Sequence, residues 1–389
     1  METSLSGLRA AHTSFEIADP SSVAFARRGA SDIARHGSLN DVEIGRVALI
    51  VTEAATNILK HAQHGELLVR PLPPHAQQAG GGIELIALDR GPGMVDVRAA
   101  FEDGYSNTGT PGTGLGAIRR LSDELAVYSQ PGLGTVVRAT VRARGSGAAF
   151  APPASGTDIG GVCVPYPGEL VSGDAWSIEA DQFGLTVTVA DGLGHGPDAH
   201  AAAAAAIEVA QRRAGLAPGR LMQAMHDALR ATRGAAVAVA RLDLARARLT
   251  FTGVGNIAAS TWGTGRPLPT TRPGRPMPAE PSPREEKEGW QLSSRNGIVG
   301  HAMRDAQEIE SPWNGGAMLI LHSDGIGTRW DPAAYPGLRL QPAAMVAAVL
   351  YRDFSRRRDD ATVVVIKADI QTDQRIDPAH GHPDTASPA

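Results

Sequence analysis

The stretch Ala190-Asp191-Gly192-Leu193-Gly194-His195-Gly196 decides the fold of the second half of the chain. Residues 185–189 before it are apolar or β-branched, which is typical of a strand, and Pro197 and a run of alanines after it favour a helix. An aspartate therefore lies where a buried strand passes into a helix, in a turn whose three glycines let the backbone approach a ligand closely. Because a carboxylate there is costly unless it is paired or holds a cation, Asp191 is a candidate functional residue.

Other aspartates occupy similar positions. Asp174 follows a Ser-Gly pair, Asp324 follows a strand pattern, and Asp359 and Asp360 precede another strand pattern. Each of these alone is more often a turn than a ligand. If they converge, their repulsion must be relieved by protonation or by cations. Carboxylates and glycine carbonyls are hard oxygen ligands, so the set predicts Mg²⁺ or Mn²⁺ and not zinc.

In this order, these elements resemble the SpoIIE-type metal-dependent serine/threonine phosphatases over about residues 156–369. The turn at residues 253–256 and the compact size resemble the RsbX-like branch, which belongs to stress signalling. The resemblance implies an αββα sandwich with two Mn²⁺ or Mg²⁺ ions between its sheets. The ligands that it implies are the carboxylates of Asp174, Asp191, Asp324 and Asp359, with Asp360 as the alternative to Asp359, and the backbone carbonyl of Gly192.

Two such cations lower the pKa of a bridging water from ~15.7 toward ~7 and hold the phosphate oxygens, so no nucleophilic side chain is required. Asp174 and Asp191 are accordingly predicted to be catalytic as well as metal-binding. His195 has two interpretations, as proton donor to the leaving group or as cap of the following helix, and the second is favoured. Cys163, the single cysteine, lies in an apolar run and is predicted to be a core residue.

Length and composition bound the class of protein. The 389 residues suggest two or three domains, and a net charge of −4 argues against a general nucleic-acid binder. No apolar run reaches the ~18 residues of a membrane span, and no basic and then apolar segment follows Met1, so no signal peptide is predicted. One cysteine allows no internal disulfide. We therefore expect a cytoplasmic protein that binds neither nucleic acid nor membrane.

A second group of polar residues lies in the first half of the chain. Glu53 and Asn57 are spaced four apart in a predicted helix, so they share one stripe beside its apolar face. A strand pattern then ends in an acidic turn at Asp89. Residues 112–116 carry three glycines before a helix predicted at residues 117–125, and they offer backbone N–H groups to an anion.

Three nucleotide-binding folds compete for this pattern. A P-loop requires Gly-Lys followed by Ser or Thr, which is absent, and a Rossmann glycine motif should directly follow a buried strand, whereas this one follows a polar loop. About residues 12–143 instead resemble the GHKL ATPases, in their RsbT-like anti-sigma and switch-kinase branch. The motifs that carry this resemblance are Glu53-x-x-x-Asn57, Asp89-x-Gly91-x-Gly93, Gly112-x-Gly114-x-Gly116 and Gly134-Thr135.

This second resemblance implies ATP and Mg²⁺ as cofactors, in an α/β sandwich of a mixed sheet with helices on one face. Asp89 would accept from the adenine amine, Asn57 would hold Mg²⁺, and Glu53 would orient or deprotonate the attacking hydroxyl. Lys60 has two interpretations, a phosphate contact or a solvated helix lysine. The other implied nucleotide-binding residues are Gly91, Gly93, Gly112, Thr113, Gly114, Leu115, Gly116 and Thr135.

The predicted fold class is α+β, with two domains. Residues 1–145 are expected to form the GHKL domain, residues 146–158 a short linker and residues 159–370 the phosphatase domain. Residues 263–289, rich in Pro, Gly and charge, are predicted to be a flexible insertion, and the polar tail at residues 371–389 to be disordered.

Sites that add and remove phosphate on one chain suggest a switch. The resemblances imply a bifunctional kinase and phosphatase whose partner is a STAS-domain anti-sigma antagonist or stressosome scaffold protein, with a sigma factor as a further partner. The alternative is a phosphatase whose N-terminal domain only senses nucleotide or binds a sigma factor. A pure scaffold with two degenerate sites is disfavoured, because the acidic set, Asn57 and Asp89 are all intact.

Overall fold

Two α+β domains follow one another in the computed structural model of the chain. The structure describes residues 7–8, 11–37, 39–73, 81–101, 114–143, 156–263, 268–269, 289–313, 316–331 and 334–368. Among these residues, we find no helix that is long and apolar enough to cross a membrane.

The N-terminal domain is a five-stranded sheet with three helices. After a two-residue strand β1 (Gly7–Leu8), its strands are β2 (Thr13–Ile17), β3 (Gly65–Leu72), β4 (Gly82–Asp89), β5 (Glu124–Gln130) and β6 (Gly134–Arg142), in the order β2-β3-β4-β6-β5. Its helices are α1 (Pro20–His36), α2 (Asp41–His61) and α3 (Gly114–Leu121).

Every described pairing in this sheet is antiparallel, which corrects the expectation of a mixed sheet. Two helices between β2 and β3 return the chain to the end at which β2 stopped, so β3 runs the opposite way. One helix between β4 and β5 leaves these two strands pointing in the same direction. However, β6 lies between them, so they never become parallel neighbours.

The long helices of this domain begin at capping residues and pack on the sheet through apolar faces. Asn40 caps α2 by accepting from the backbone N–H of Glu43, whose side chain accepts in return from the Asn40 N–H. The predicted apolar face of α2 is buried against the sheet, and it consists of Val47, Ile50, Ala54 and Ile58. The helix predicted at residues 117–125 is wrong in its bounds, because α3 ends at Leu121 and Glu124 already pairs with Thr140 in β5.

The C-terminal domain contains two sheets. The strands are β7 (Thr157–Val164), β8 (Asp174–Asp181), β9 (Gly184–Gly192), β10 (Ala235–Asp243), β11 (Arg248–Val254), β12 (Ala258–Trp262), β13 (Leu268–Pro269), β14 (Gly289–Leu292), β15 (Ile309–Pro312), β16 (Met318–His322) and β17 (Ala361–Ala368). The helices are α4 (Pro197–Arg212), α5 (Pro218–Ala228) and α6 (Ala343–Phe354).

The two sheets stack face to face with helices outside them, which confirms the αββα sandwich. One sheet has the order β1-β8-β9-β10-β11-β15-β13 and the other β14-β12-β16-β17-β7. Their inner faces share a core that includes Trp176, Val187, Phe251 and Val364. Helices α4 and α5 cover the first sheet, and α6 covers the second.

The predicted domain limits differ in detail from these elements. Strand β1 pairs with β8, so Gly7 and Leu8 join the C-terminal sheet although they precede the N-terminal domain. Strand β7 begins at Thr157, within the expected linker. The expected insertion and tail lie mostly outside the described residues, except that residues 268–269 form β13 beside β15.

Candidate functional site

The predicted acidic residues of the C-terminal domain lie at the same edge of its two sheets. Asp174 begins β8 and stands opposite Asp191 near the end of β9. In the other sheet, Asp324 follows β16, and Asp360 directly precedes β17, which pairs with β16. The topology therefore brings four separate segments of the chain to one place.

Asp174 is buried, and its two carboxylate oxygens differ in their surroundings. Its Oδ2 accepts a hydrogen bond from the Ser323 hydroxyl at 2.6 Å, and its backbone N–H donates to the Ser172 hydroxyl at 3.1 Å. Its Oδ1 is buried without a hydrogen-bond partner in the described part of the chain. A carboxylate oxygen left in this way is a site that a cation fits.

Asp360 repeats this arrangement. Its Oδ1 accepts from the Tyr166 backbone N–H at 2.9 Å, whereas its Oδ2 is buried and has no partner among the described residues. A Cβ at Gly173 would lie 2.6 Å from that Oδ2, so only glycine leaves room beside it. Asp359 is half-buried, and its Oδ1 accepts from the Asp360 N–H at 2.9 Å. Both remain candidates for the ligand at this position.

The electrostatics of the cluster agree with its expected convergence. Burial raises the pKa of both Asp174 and Asp191, and the neighbouring carboxylates raise each further. The pKa of Asp359 is raised by burial and by the charge of Asp324. Among the described residues, no group of three or more His, Cys, Asp or Glu side chains stands close enough together to hold a metal ion. The fit to a cation comes from the two unpartnered oxygens and from this mutual repulsion.

Two turns of the chain border the acidic cluster. Gly192 packs so tightly that a Cβ would lie 2.0 Å from the Ala199 carbonyl oxygen, which fixes the turn after β9. Asp324 Oδ2 accepts from the Asn256 amide at 2.6 Å, so the turn at residues 253–256 reaches the acidic cluster.

His195 does not cap the following helix, which corrects the favoured interpretation. The cap residue of α4 is Gly196, and no side chain caps that end. The His195 ring instead stacks on Tyr166, with 4.5 Å between the ring centroids, and its Nδ1 lies 2.8 Å from Glu169 Oε1. The sequence analysis missed Tyr166 and Glu169, because they lie in a loop that carries no motif.

Cys163 is a core residue, as predicted. It is buried between the two sheets, and burial raises the pKa of its thiol to about 12. A thiol of this kind is not a nucleophile at neutral pH.

In the N-terminal domain, Asp89 is fixed at the end of β4. Its Oδ1 accepts from the backbone N–H groups of Gly91 at 2.8 Å and Thr135 at 3.2 Å. Burial raises its pKa, which these two hydrogen bonds oppose. Gly93 has φ +70°, and a Cβ there would lie 2.1 Å from the Gln130 carbonyl oxygen, so the turn after Asp89 requires glycine.

The part of this site that the sequence predicts to bind phosphate lies partly within the described residues. Helix α3 begins at Gly114, where a Cβ would lie 2.9 Å from the amide nitrogen and oxygen of Asn57. Glu53 is half-buried one turn before Asn57, whereas Lys60 is exposed. Leu115 and Gly116 lie in the first turn of α3, and Gly112 and Thr113 lie outside the described residues.

Comparison with models of protein families gives one matching family for each domain. A family model described as a histidine kinase-like ATPase domain matches residues 17–141, and the model of stage II sporulation protein E (SpoIIE) matches residues 181–369. The chain is 33% identical over 114 residues, 29% of its length, to the serine/threonine-protein kinase RsbT of Bacillus subtilis and covers 84% of that protein. It is 30% identical over 101 residues, 25% of its length, to an anti-sigma F factor of Thermoanaerobacter sp. and covers 69% of it.

Among solved structures, the phosphatase domain of SpoIIE from Bacillus subtilis, with a fragment of its regulatory domain, has a TM-score of 0.42 and 17% identity. That likeness covers 75% of this chain and 80% of the other. A crystal structure of RsbX in complex with magnesium has a TM-score of 0.44 and 18% identity, over 56% of this chain and 98% of that one.

Proposed function

We propose that this chain adds and removes phosphate on one protein substrate. Its N-terminal domain belongs to the RsbT-related histidine kinase-like ATPases, and its C-terminal domain belongs to the SpoIIE phosphatases. The substrate class is a serine or threonine of a small STAS-domain regulator in a sigma-factor or stressosome-type pathway. The support for this class is the likeness of the N-terminal domain to a kinase and an anti-sigma factor.

The observation that carries the phosphatase proposal is the pair of buried, unpartnered carboxylate oxygens on Asp174 and Asp360. We assign Asp174, Asp191, Asp324, the Asp359-Asp360 pair and the Gly192 carbonyl as the ligands of two Mn²⁺ or Mg²⁺ ions. When bound, the ions supply an acidified water and neutralise charge on the phosphate. The protein's own part is to hold the ligands: Ser323 orients Asp174, Tyr166 orients Asp360, and Asn256 orients Asp324.

Removal of metal tests this assignment. We expect that excess EDTA abolishes hydrolysis of a phosphoserine protein by the full-length chain and that added Mn²⁺ or Mg²⁺ restores it. The same titration followed by calorimetry should show tight binding of about two ions per chain. Robust turnover in excess EDTA would contradict the proposed metal centre.

For the N-terminal domain, we assign Asp89 to the adenine base, Asn57 to Mg²⁺ and Glu53 to the attacking hydroxyl. The position of Gly114, the first residue of α3, beside the Asn57 amide supports this assignment, because N–H groups at a helix N-terminus can bind an anion. The alternative is a nucleotide-sensing or sigma-factor-binding module, neither of which requires Glu53 as a base. Transfer of phosphate therefore separates the two functions.

Nucleotide selectivity tests the place of Asp89. We expect the full-length chain to bind ATP or ADP about 10- to 100-fold more tightly than the matching guanine nucleotide, because guanine presents a carbonyl oxygen to the partly buried carboxylate of Asp89. Calorimetry gives both affinities. Asp89→Asn, whose amide can also donate a hydrogen bond, should lower the ratio of the adenine-nucleotide affinity to the guanine-nucleotide affinity. Equal affinity of the wild-type chain for both nucleotides would show that Asp89 does not contact the base.

A further inference from the structure

Helix α6 lies between the two domains. It packs on β7 and β17 of its own domain and on β4, β5 and β6 of the N-terminal domain. Ten consecutive residues, from Ala343 to Arg352, are buried, as expected for a helix covered on all sides. Helix α6 ends at Phe354, and a short turn then leads to Asp359. This candidate metal ligand therefore follows closely on a helix that both domains contact.

Glu66, on β3 of the N-terminal domain, bonds to this region. Its carboxylate is 6% exposed, and it accepts from the Tyr351 hydroxyl on α6 at 2.9 Å and from the Ser14 hydroxyl at 2.5 Å. Its other oxygen lies 2.8 Å from the Arg357 guanidinium, which lies just beyond α6. A carboxylate buried to this degree requires such partners, because loss of one of them leaves a buried charge that is not compensated.

Arg357 lies in a strained turn. Its φ is +51°, in the left-handed region that non-glycine residues rarely occupy, and such strain persists only where surrounding contacts impose it. The turn is bonded on its other side to the segment after Asp324, because the Arg356 N–H donates to the Gly325 carbonyl at 2.8 Å. A Cβ on Gly325 would lie 2.0 Å from the Asp360 carbonyl oxygen, so the two acidic segments pack backbone against backbone.

We propose that Glu66 is a positioning residue of the phosphatase metal centre: through Arg357, it holds the turn that sets Asp359 and Asp360 against Asp324. The N-terminal domain thereby contributes directly to metal binding by the C-terminal domain. This inference rests on the metal centre proposed above, and it adds a residue that lies in the other domain and touches no metal.

Loss of the ion pair between Glu66 and Arg357 should lower the affinity for metal but leave the rate at saturating metal nearly unchanged. Without the ion pair, the turn relaxes from its left-handed conformation, and the ligands must be reordered when the ions bind. Residues that support metal ligands in this way typically contribute 10- to 100-fold to metal affinity. Glu66→Gln should therefore raise the half-saturating Mn²⁺ concentration about tenfold or more, with kcat at saturating Mn²⁺ close to that of the wild type.

The test uses full-length variants and a Mn²⁺ titration of phosphoserine-protein hydrolysis, with thermal melting as a measure of folding. Glu66→Gln and Arg357→Ala should each shift the Mn²⁺ requirement, and the double variant should shift it no further, because they break one interaction. Arg357→Lys, which keeps the charge, should recover part of the affinity. Glu310→Gln is the matched control, because it removes a Glu–Arg pair, with Arg248 at 3.0 Å, that lies entirely within the C-terminal domain. It should leave the Mn²⁺ requirement unchanged.

The outcomes are distinct. If the wild-type chain shows no Mn²⁺ dependence, the proposed metal centre is wrong. If the wild-type chain depends on Mn²⁺ but Glu66→Gln only lowers the melting temperature and leaves the Mn²⁺ requirement unchanged, the metal centre stands and the positioning by Glu66 is wrong. If Glu66→Gln does not fold, Arg357→Ala decides, because the Arg357 side chain is 55% exposed and its truncation leaves no cavity.

Discussion

Asp191→Ala is expected to reduce phosphatase activity by on the order of 10³-fold or more, because it removes a ligand that activates the attacking water. Asp191 stands opposite Asp174 in the β8–β9 pairing, and burial and the surrounding carboxylates raise its pKa. Removing it lowers the repulsion within the cluster, so the metal-free variant should melt at the wild-type temperature or above it. The stabilisation that added Mn²⁺ gives the wild type should be lost.

Initial rates on a phosphoserine protein and melting curves with and without Mn²⁺ check this result. Asp227→Ala is the matched control, because Asp227 is exposed on α5 and pairs only with Arg230 within the described residues. It should retain full activity. An Asp191→Ala variant that folds and hydrolyses phosphoserine at the wild-type rate would exclude Asp191 as a ligand.

Glu53→Gln is expected to cut phosphoryl transfer by roughly 10²-fold or more while leaving ATP affinity nearly unchanged, since about this much comes from a general base. Glu53 lies on α2, one turn before Asn57 and half-buried beside the helix face that packs on the sheet. Glutamine keeps its shape and hydrogen bonding but cannot take a proton. Asn57→Asp should lower binding and transfer together, because it changes a metal ligand.

These rates should be measured on the Asp191→Ala background, so that the attached phosphatase does not remove the product. The readouts are calorimetric ATP affinity and transfer of labelled phosphate to a STAS-domain protein. If Glu53→Gln lowers ATP affinity as much as transfer, Glu53 is a structural residue of the nucleotide site and not its base.

Much of the candidate site could be predicted because its motifs are local. Strand-to-turn aspartates such as Asp174 and Asp191 are visible in the sequence, and the strand order then brings them to one edge. The apolar stripe of α2 follows from periodicity, and the start of α2 follows from the capping residues Asn40 and Glu43. In these cases, local pattern and final structure agree.

The features that could not be predicted depend on contacts between segments that are distant in the sequence. The apolar composition of α6 predicts a buried helix, but nothing in it shows that the second surface belongs to the N-terminal sheet. Glu66 is the second residue of β3, before the apolar run at residues 67–69, and it resembles an exposed residue at a strand end until Tyr351 and Arg357 are placed beside it. The cap predicted for His195 was wrong for the same reason, because its partner Glu169 comes from another loop.

Phosphosite mass spectrometry of a STAS-domain protein tests whether one chain adds and removes the same phosphate. The STAS protein is incubated with ATP, Mg²⁺ and the full-length Asp191→Ala variant, and wild-type chain and Mn²⁺ are then added after ATP is removed. The proposed bifunctional activity requires that one serine or threonine becomes phosphorylated in the first step and loses its phosphate in the second. No phosphorylation of any tested STAS protein, together with tight binding of a sigma factor, would contradict it, as would a phosphate that persists after the second step.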